Sequence, residues 1–242
     1  MMIYQWVVFD ADDTLFRFDA FQGLKLTFSR FGVDFTAADY DAYEAINQPL
    51  WVDYQHNLIT AAQLKQARFQ AWANRLQVST DEINHAFLAT RSEIGEPMQG
   101  AEVLLAALHG NAKLGIITNG FSEFQQSRLE RAGFHNYFEW VVTSEEVGAA
   151  KPHPIIFEHA FSKMNYPERH RVLMVGDNPE SDIVGGWRAG FDTCWLNVHH
   201  RPLPAGIQPT YQVSDLTELA HLLCLATGDN ATSSSGDTRC AV

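Results

Sequence analysis

Four short clusters of polar side chains could act together if the chain brought them to one place. They are Asp10-Ala11-Asp12-Asp13-Thr14, Thr118-Asn119-Gly120, Ser144-Glu145-Glu146 with Lys151 shortly after, and Gly176-Asp177-Asn178-Pro179-Glu180-Ser181-Asp182. Carboxylates gathered in a partly desolvated place repel one another unless a cation sits among them. Oxygen ligands with no His or Cys favour Mg²⁺, which keeps some waters and accepts phosphate oxygens. Lys151 and the Thr118 hydroxyl supply donors for an anion, Asn119 is a further phosphate-binding candidate, and backbone N–H groups after Asp10 add more. A carboxylate, a lysine and Mg²⁺ suit phosphoryl transfer, in which positioning and charge neutralisation do most of the work. Within the pair Asp10 and Asp12, one carboxylate can attack phosphorus while the other handles the proton of the leaving group. Taken singly, each cluster has a plainer reading: a turn, a solvated lysine, or a helix cap at Asp182. It is the set that argues for a site.

The elements that must position them are legible in the apolar pattern. Trp6–Phe9, Leu114–Ile117, Trp140–Val142, Val172–Val175 and Thr193–Leu196 are short, nearly continuous apolar runs, which suit strands buried on both faces of a parallel sheet. Helix-length segments separate the later runs, at Ala101–His109, Ser122–Ala132, Pro154–Met164 and Pro179–Ala189, and glycines follow three of them. The expected fold is α/β: a Rossmann-like parallel sheet with helices on both faces. In such a sheet ligands bind beyond the carboxyl ends of the strands, and each chemistry-bearing cluster follows one of these runs.

Residues 18–97 break the rhythm. They contain no convincing strand, and Thr60 with Gln63 and Ser79 with Glu82 have capping-box spacing. Phe69, Trp72 and Leu76 then share one helical face. A small all-helical cap inserted after the first strand is expected over 18–97, with a catalytic core of 1–17 and 98–226. The aromatics of the insertion read as core, with Trp51 and Tyr54 the candidates for stacking on a base. Residues 227–242 read as a disordered tail, and their Asn230-Ala231-Thr232 sequon as chance. His199-His200-Arg201 reads as an exposed loop, Asp13 as facing solvent, and Cys194 and Cys224 as core.

Composition bounds the function. The 17 Lys and Arg stand against 29 Asp and Glu, a formal net charge of −12, so the average surface repels nucleic acid and anionic lipid. No apolar run is long enough to span a membrane. Three scattered cysteines make neither a disulfide framework nor a zinc site. With no secretory pattern in Met1–Trp6, a cytoplasmic setting is expected.

Phe9-Asp10-Ala11-Asp12-Asp13-Thr14-Leu15, Ile117-Thr118-Asn119-Gly120, Ala150-Lys151-Pro152 and Gly176-Asp177…Asp182 resemble, in order and spacing, the four motifs of the haloacid dehalogenase superfamily. The likeness spans roughly residues 3 to 225. It implies that Asp10 is the nucleophile that forms an aspartyl-phosphate and Asp12 the general acid, then base. Thr118 and Lys151 would hold the phosphoryl group. Asp10, the backbone carbonyl of Asp12, and Asp177 would ligate Mg²⁺ (or Mn²⁺ in its place), with Asp182 just outside or orienting Lys151. Dehalogenases of the superfamily lack the second aspartate, so Asp12 implies phosphoryl chemistry. Asp13, Asn47–Gln55, Gly115–Phe121, Ser144–Gly148 and Cys194–Asn197 are similar to a branch of bacterial pyrimidine 5′-nucleotidases. The substrate so implied is a small nucleoside monophosphate. A sugar or glycolate phosphatase or a phosphomutase on the same core remains open. A phospho-accepting signalling receiver fits poorly, being about half this length and without an insertion.

Overall fold

A computed structural model describes residues 2–228, the side chains of residue 124 and of 224–228 excepted. Six strands form one parallel sheet in the order β3-β2-β1-β4-β5-β6: β1 (Trp6–Phe9), β2 (Lys113–Thr118), β3 (Phe138–Thr143), β4 (Val172–Gly176), β5 (Asp192–Leu196) and β6 (Tyr211–Val213). The first five coincide with the apolar runs. The two-residue period of a strand splits β1 between two cores. Val7 and Phe9 pack with Leu104, Leu105, Leu108 and Leu219, from α6 (Ala101–Leu108) and α11 (Leu216–Gly228). Trp6 and Val8 pack on the other face with Ile156, Phe157 and Ala160 of α9 (Pro154–Lys163). Burial on both faces is why these runs are apolar throughout.

The remaining core helices are α7 (Ser122–Arg131), the short α8 (Ser144–Val147) and α10 (Val184–Arg188). Gly110 and Gly133, just past α6 and α7, both have φ of 73°, the left-handed conformation expected of them. The helix expected over Pro179–Ala189 begins instead as a wide turn at Pro179–Ile183 and only then becomes α10. Helix α11 runs through Gly228, past the boundary expected at 226, and the rest of the tail lies outside the described residues. So does the side chain of Cys224, whereas Cys194 is buried in the core as expected. No helix among the described residues is long and apolar enough to cross a membrane.

Five helices fill the insertion: α1 (Ala20–Ser29), α2 (Ala37–Gln55), α3 (Ala61–Ala67), α4 (Gln70–Leu76) and α5 (Thr80–Ile94). Both bonds of the Thr60–Gln63 capping box are present, and Ser79 accepts from the Glu82 N–H. These helices enclose a core of their own around Leu24, Phe28, Phe35, Tyr43, Phe69 and Phe87. Phe28 and Phe35 stack with centroids 4.9 Å apart. The chain leaves and re-enters the sheet side by side, with Arg17 N–H donating to Glu96 O at 2.9 Å and Met98 N–H to Leu15 O at 2.9 Å. A small apolar cluster containing Tyr54, Leu64, Leu88, Phe121 and Ala150 joins insertion to core.

Candidate active site

The strand order reverses at β1, and Asp10 is the first residue beyond its carboxyl end. Thr118 ends β2 and Asp177 follows β4, the two neighbours of β1. Parallel pairing puts all three on one edge, at the crevice where an open α/β sheet binds ligands. Lys151 arrives from the loop between α8 and α9. Its Nζ lies 2.6 Å from Asp10 Oδ1 and 2.7 Å from Asp182 Oδ1. A solvated surface lysine is the plain alternative, but Lys151 is only 1% exposed. Burial alone would lower its pKa, and the Asp10 and Asp182 carboxylates overcome that and raise it.

Asn119 and Gly176 set this cluster up. The Asn119 amide accepts from Lys151 N–H at 2.7 Å and donates to Lys151 O at 3.1 Å. The amide thus positions the Lys151 peptide, and Asn119 also lines the cavity over this edge. Asp182 is fully buried and accepts from Asn178 N–H at 3.1 Å. A Cβ on Gly176 would lie 2.2 Å from Asp182 Oδ2, so only glycine allows the carboxylate this close to β4. Asp177 is oriented by Thr14, whose Oγ1 accepts from Asp177 N–H at 3.1 Å, and its carbonyl accepts from Trp195 Nε1–H at 2.9 Å.

Carboxylate oxygens of Asp10, Asp177 and Asp182 lie within 4.8 Å of one another. Burial first, then the neighbouring acids, push the Asp177 carboxyl up to about 8. Asp10 is raised in the same direction, burial outweighing the pull of Lys151. One lysine does not neutralise three acids, two of them buried and Asp177 half-buried, and a hard divalent cation is the group such an oxygen-only set accommodates. Asp182 lies within reach of the other two acids while its Oδ1 holds Lys151. The Asp12 carboxylate points elsewhere, which leaves its backbone carbonyl as its route to a metal.

Asp12 is held by two arginines that the sequence does not single out. Arg91 of α5 donates to Asp12 Oδ1 at 2.8 Å, and Arg128 of α7 donates to the same oxygen at 2.5 Å. Burial would raise the Asp12 carboxyl, but the two guanidiniums hold it far below the usual carboxylate range. The two guanidiniums thus favour the carboxylate form of Asp12. Asp13, expected to face solvent, is partly buried with φ of 55°, and its carboxylate accepts from Phe18 N–H at 3.0 Å.

A cavity of about 470 Å³ opens over this edge, between Asp10, Asp12, Thr118 and Lys151 below and Tyr43, Trp51, Arg68 and Arg91 of the insertion above. Residues 4–190 match the haloacid dehalogenase-like hydrolases. The chain belongs to this family. Among its relatives, the Escherichia coli (strain K12) pyrimidine 5′-nucleotidase YjjG is 55% identical over 92% of this chain and 99% of its own. The Streptococcus pneumoniae pyrimidine 5′-nucleotidase PynA is 33% identical over 92% and 96%. The solved structure of Bacillus subtilis YfnB, described as bound to magnesium with interdomain movement, superposes with a TM-score of 0.78 at 32% identity. The match covers 91% of this chain and 98% of that one.

Within this haloacid dehalogenase-like hydrolase, Thr118 is buried and its Oγ1 accepts from Gly120 N–H at 3.0 Å, leaving its own proton to donate. Trp51 lies on the cavity wall, stacked on Phe121 with centroids 5.6 Å apart. Tyr54 does not reach the cavity; it is buried, donating to Ser144 Oγ at 2.8 Å across the seam between insertion and core. Residues 199–201 are exposed, as expected. The arginines cannot be found from the chain because Arg91 and Arg128 sit in ordinary polar stretches of amphipathic helices. Arg68 is a third such residue. It is 4% exposed, lines the cavity, and is bonded through Nε to Asn84 Oδ1 at 2.9 Å.

Proposed function

We propose that this chain hydrolyses nucleoside 5′-monophosphates, with pyrimidine bases preferred, to nucleoside and phosphate. The observation that carries the reading is the Asp10–Lys151–Asp182–Asp177 cluster on the floor of a cavity roofed by the aromatic and amide side chains of α2. The 55% identity to a pyrimidine 5′-nucleotidase over nearly its whole length supports it. Residues 18–97 serve as a cap and 1–17 with 98–226 as the catalytic core. Asp10, Asp177 and the carbonyl of Asp12 would hold Mg²⁺, with Asp182 just outside or orienting Lys151 and Mn²⁺ able to replace Mg²⁺. When bound, the ion would neutralise charge between the acids and the phosphate oxygens.

Lys151 and Thr118 orient the phosphoryl group through their N–H and O–H donors. An Asp10 oxygen attacks phosphorus in line, the P–O5′ bond breaks, and a proton carried by Asp12 passes to O5′, giving an aspartyl-phosphate and the free nucleoside. Asp12, now the carboxylate that its two arginines favour, then takes a proton from water as that water attacks phosphorus. Phosphate leaves and Asp10 is regenerated.

Phosphate release across ribo- and deoxyribonucleoside monophosphates, sugar phosphates and phosphoglycolate, with and without chelator, tests this. Chelator-sensitive turnover that is fastest on pyrimidine nucleotides is expected. Equal rates on sugar phosphates, or indifference to chelator, would refute it.

A further inference from the structure

The two oxygens of Asp12 have different surroundings. Oδ1 receives both guanidiniums, Arg91 Nη2 at 2.8 Å and Arg128 Nη1 at 2.5 Å. Oδ2 has no hydrogen-bond partner among the described residues. It faces the turn that carries Thr118, since a Cβ built on Gly120 would lie 3.7 Å from it. The two arginines come from different parts of the molecule. Arg128 belongs to core helix α7, is 3% exposed, and is steadied by Gln125 Oε1, which accepts from its Nη2 at 2.6 Å. Arg91 belongs to α5 of the insertion. Each lies over a phenylalanine of the segment that leads from Asp12 into the insertion: Arg128 over Phe16 at 4.5 Å and Arg91 over Phe18 at 4.2 Å.

We infer that Arg91 is a positioning residue for the reaction: with Arg128 it anchors Oδ1 of Asp12 so that Oδ2 is presented to the leaving-group oxygen. The insertion thereby supplies half of the anchor, and the proton-transfer geometry is complete only when α5 is seated on the core. The inference rests on the phosphomonoester reading above and adds to it a role for Arg91, which lines the cavity and is bonded to Asp12. Proton transfer is steep in distance, and displacing a catalytic group by about 1 Å can cost on the order of 100-fold. One anchor alone leaves a carboxylate free to rotate about its Cα–Cβ and Cβ–Cγ bonds.

The test separates leaving groups. The constant kcat/KM covers steps only through departure of the alcohol, and p-nitrophenolate departs without needing a proton. Arg91→Met is expected to lower kcat/KM for thymidine 5′-monophosphate about 100-fold and that for p-nitrophenyl phosphate less than about 3-fold. Arg91→Lys, which keeps a donor, is expected to recover part of the loss. Calorimetric affinity for thymidine 5′-monophosphate, measured in an Asp10→Asn background so that no turnover intervenes, is expected to fall by much less than the rate when Arg91→Met is added.

Equal loss on both esters would overturn the inference in favour of a structural or phosphate-binding role. Weaker nucleotide affinity matching the rate loss would overturn it in favour of a ligand contact. Should Arg91→Met fail to fold, Arg91→Lys and Arg128→Lys carry the same comparison, each with a larger loss on the nucleotide than on the aryl ester. A wild-type protein inactive on both esters would instead defeat the phosphomonoester reading itself.

Discussion

The floor and the roof of the cavity are built in different ways. On the floor, Asp10, Thr118 and Asp177 sit at or just beyond the ends of three adjacent strands, so the sheet ladder fixes their backbones to one another. The roof residues Tyr43, Trp51 and Arg91 project from helices that share a separate hydrophobic core. They reach the floor through two crossings of the chain, a small apolar seam and a few polar bonds such as Arg91 to Asp12 and Tyr54 to Ser144. The chemistry also divides: the floor concentrates buried acids around one lysine, whereas the roof presents aromatic rings, amides and arginines. A floor anchored by main chain suits a reaction that tolerates little displacement. A roof held by side-chain packing suits discrimination among ligands.

That division is most severely tested at Asp10. Asp10→Asn is expected to lower kcat by on the order of 10⁴-fold or more while leaving the circular-dichroism spectrum and melting behaviour native-like. Near-normal phosphate release would remove the nucleophile from the floor. Lys151→Met comes next. It strips the cation bonded to both Asp10 and Asp182, and losing one partner from such a buried cluster costs about 3–5 kcal/mol. Urea unfolding of the metal-free protein should show it, and a change under about 1 kcal/mol would mean the acids are compensated some other way.

Acidity sharpens the contrast further. Asp10 and Asp177 are raised in the folded protein, Asp177 to about 8, while in the unfolded chain both titrate near the ordinary value of about 4. Between those values the folded state binds more protons, so stability of the metal-free protein falls as pH rises from about 4 to about 8. Asp12, lowered by its arginines, has the opposite sign. Its contribution is fully present above the unfolded value and is lost only as pH drops toward its own low pKa. The melting temperature of chelator-treated protein should therefore decline across that window, with Mg²⁺ opposing the decline at its upper end. A profile that rises with pH would contradict the floor as described.

The smallest effect is expected on the roof. Trp51→Ala should raise KM for pyrimidine nucleotides by roughly 10-fold, within the 1–3 kcal/mol of a base–aromatic stack. Its rate on p-nitrophenyl phosphate should stay near normal. Equal losses on both substrates would show that Trp51 supports the floor through Phe121.

Legibility follows the same line between floor and roof. The apolar runs of β1–β5 can be read because burial on both faces demands continuous apolarity, and the clusters at their ends gather on one edge without coordinates. Three-residue β6 cannot, since only Val213 of it is buried. Thr60 and Gln63 are readable as a cap because their contacts are local. That the Asn119 side chain bonds the Lys151 peptide is not readable, because folding brings that partner to it. Arg91 and Arg128 are invisible for the same reason: a helix surface of this composition looks alike whether it meets water or Asp12.

What the chain determined by itself was the parallel sheet, the helical insertion and the acid–lysine set at the strand ends, since strand period, capping and parallel pairing follow from local pattern. Tertiary structure alone decided that Asp182 joins Asp10 and Asp177, that Asn119 serves Lys151, and that two arginines grip Asp12. Those pairings depend on how helices dock across the sheet edge, and docking is set by the shapes of packed surfaces that no short stretch of residues encodes.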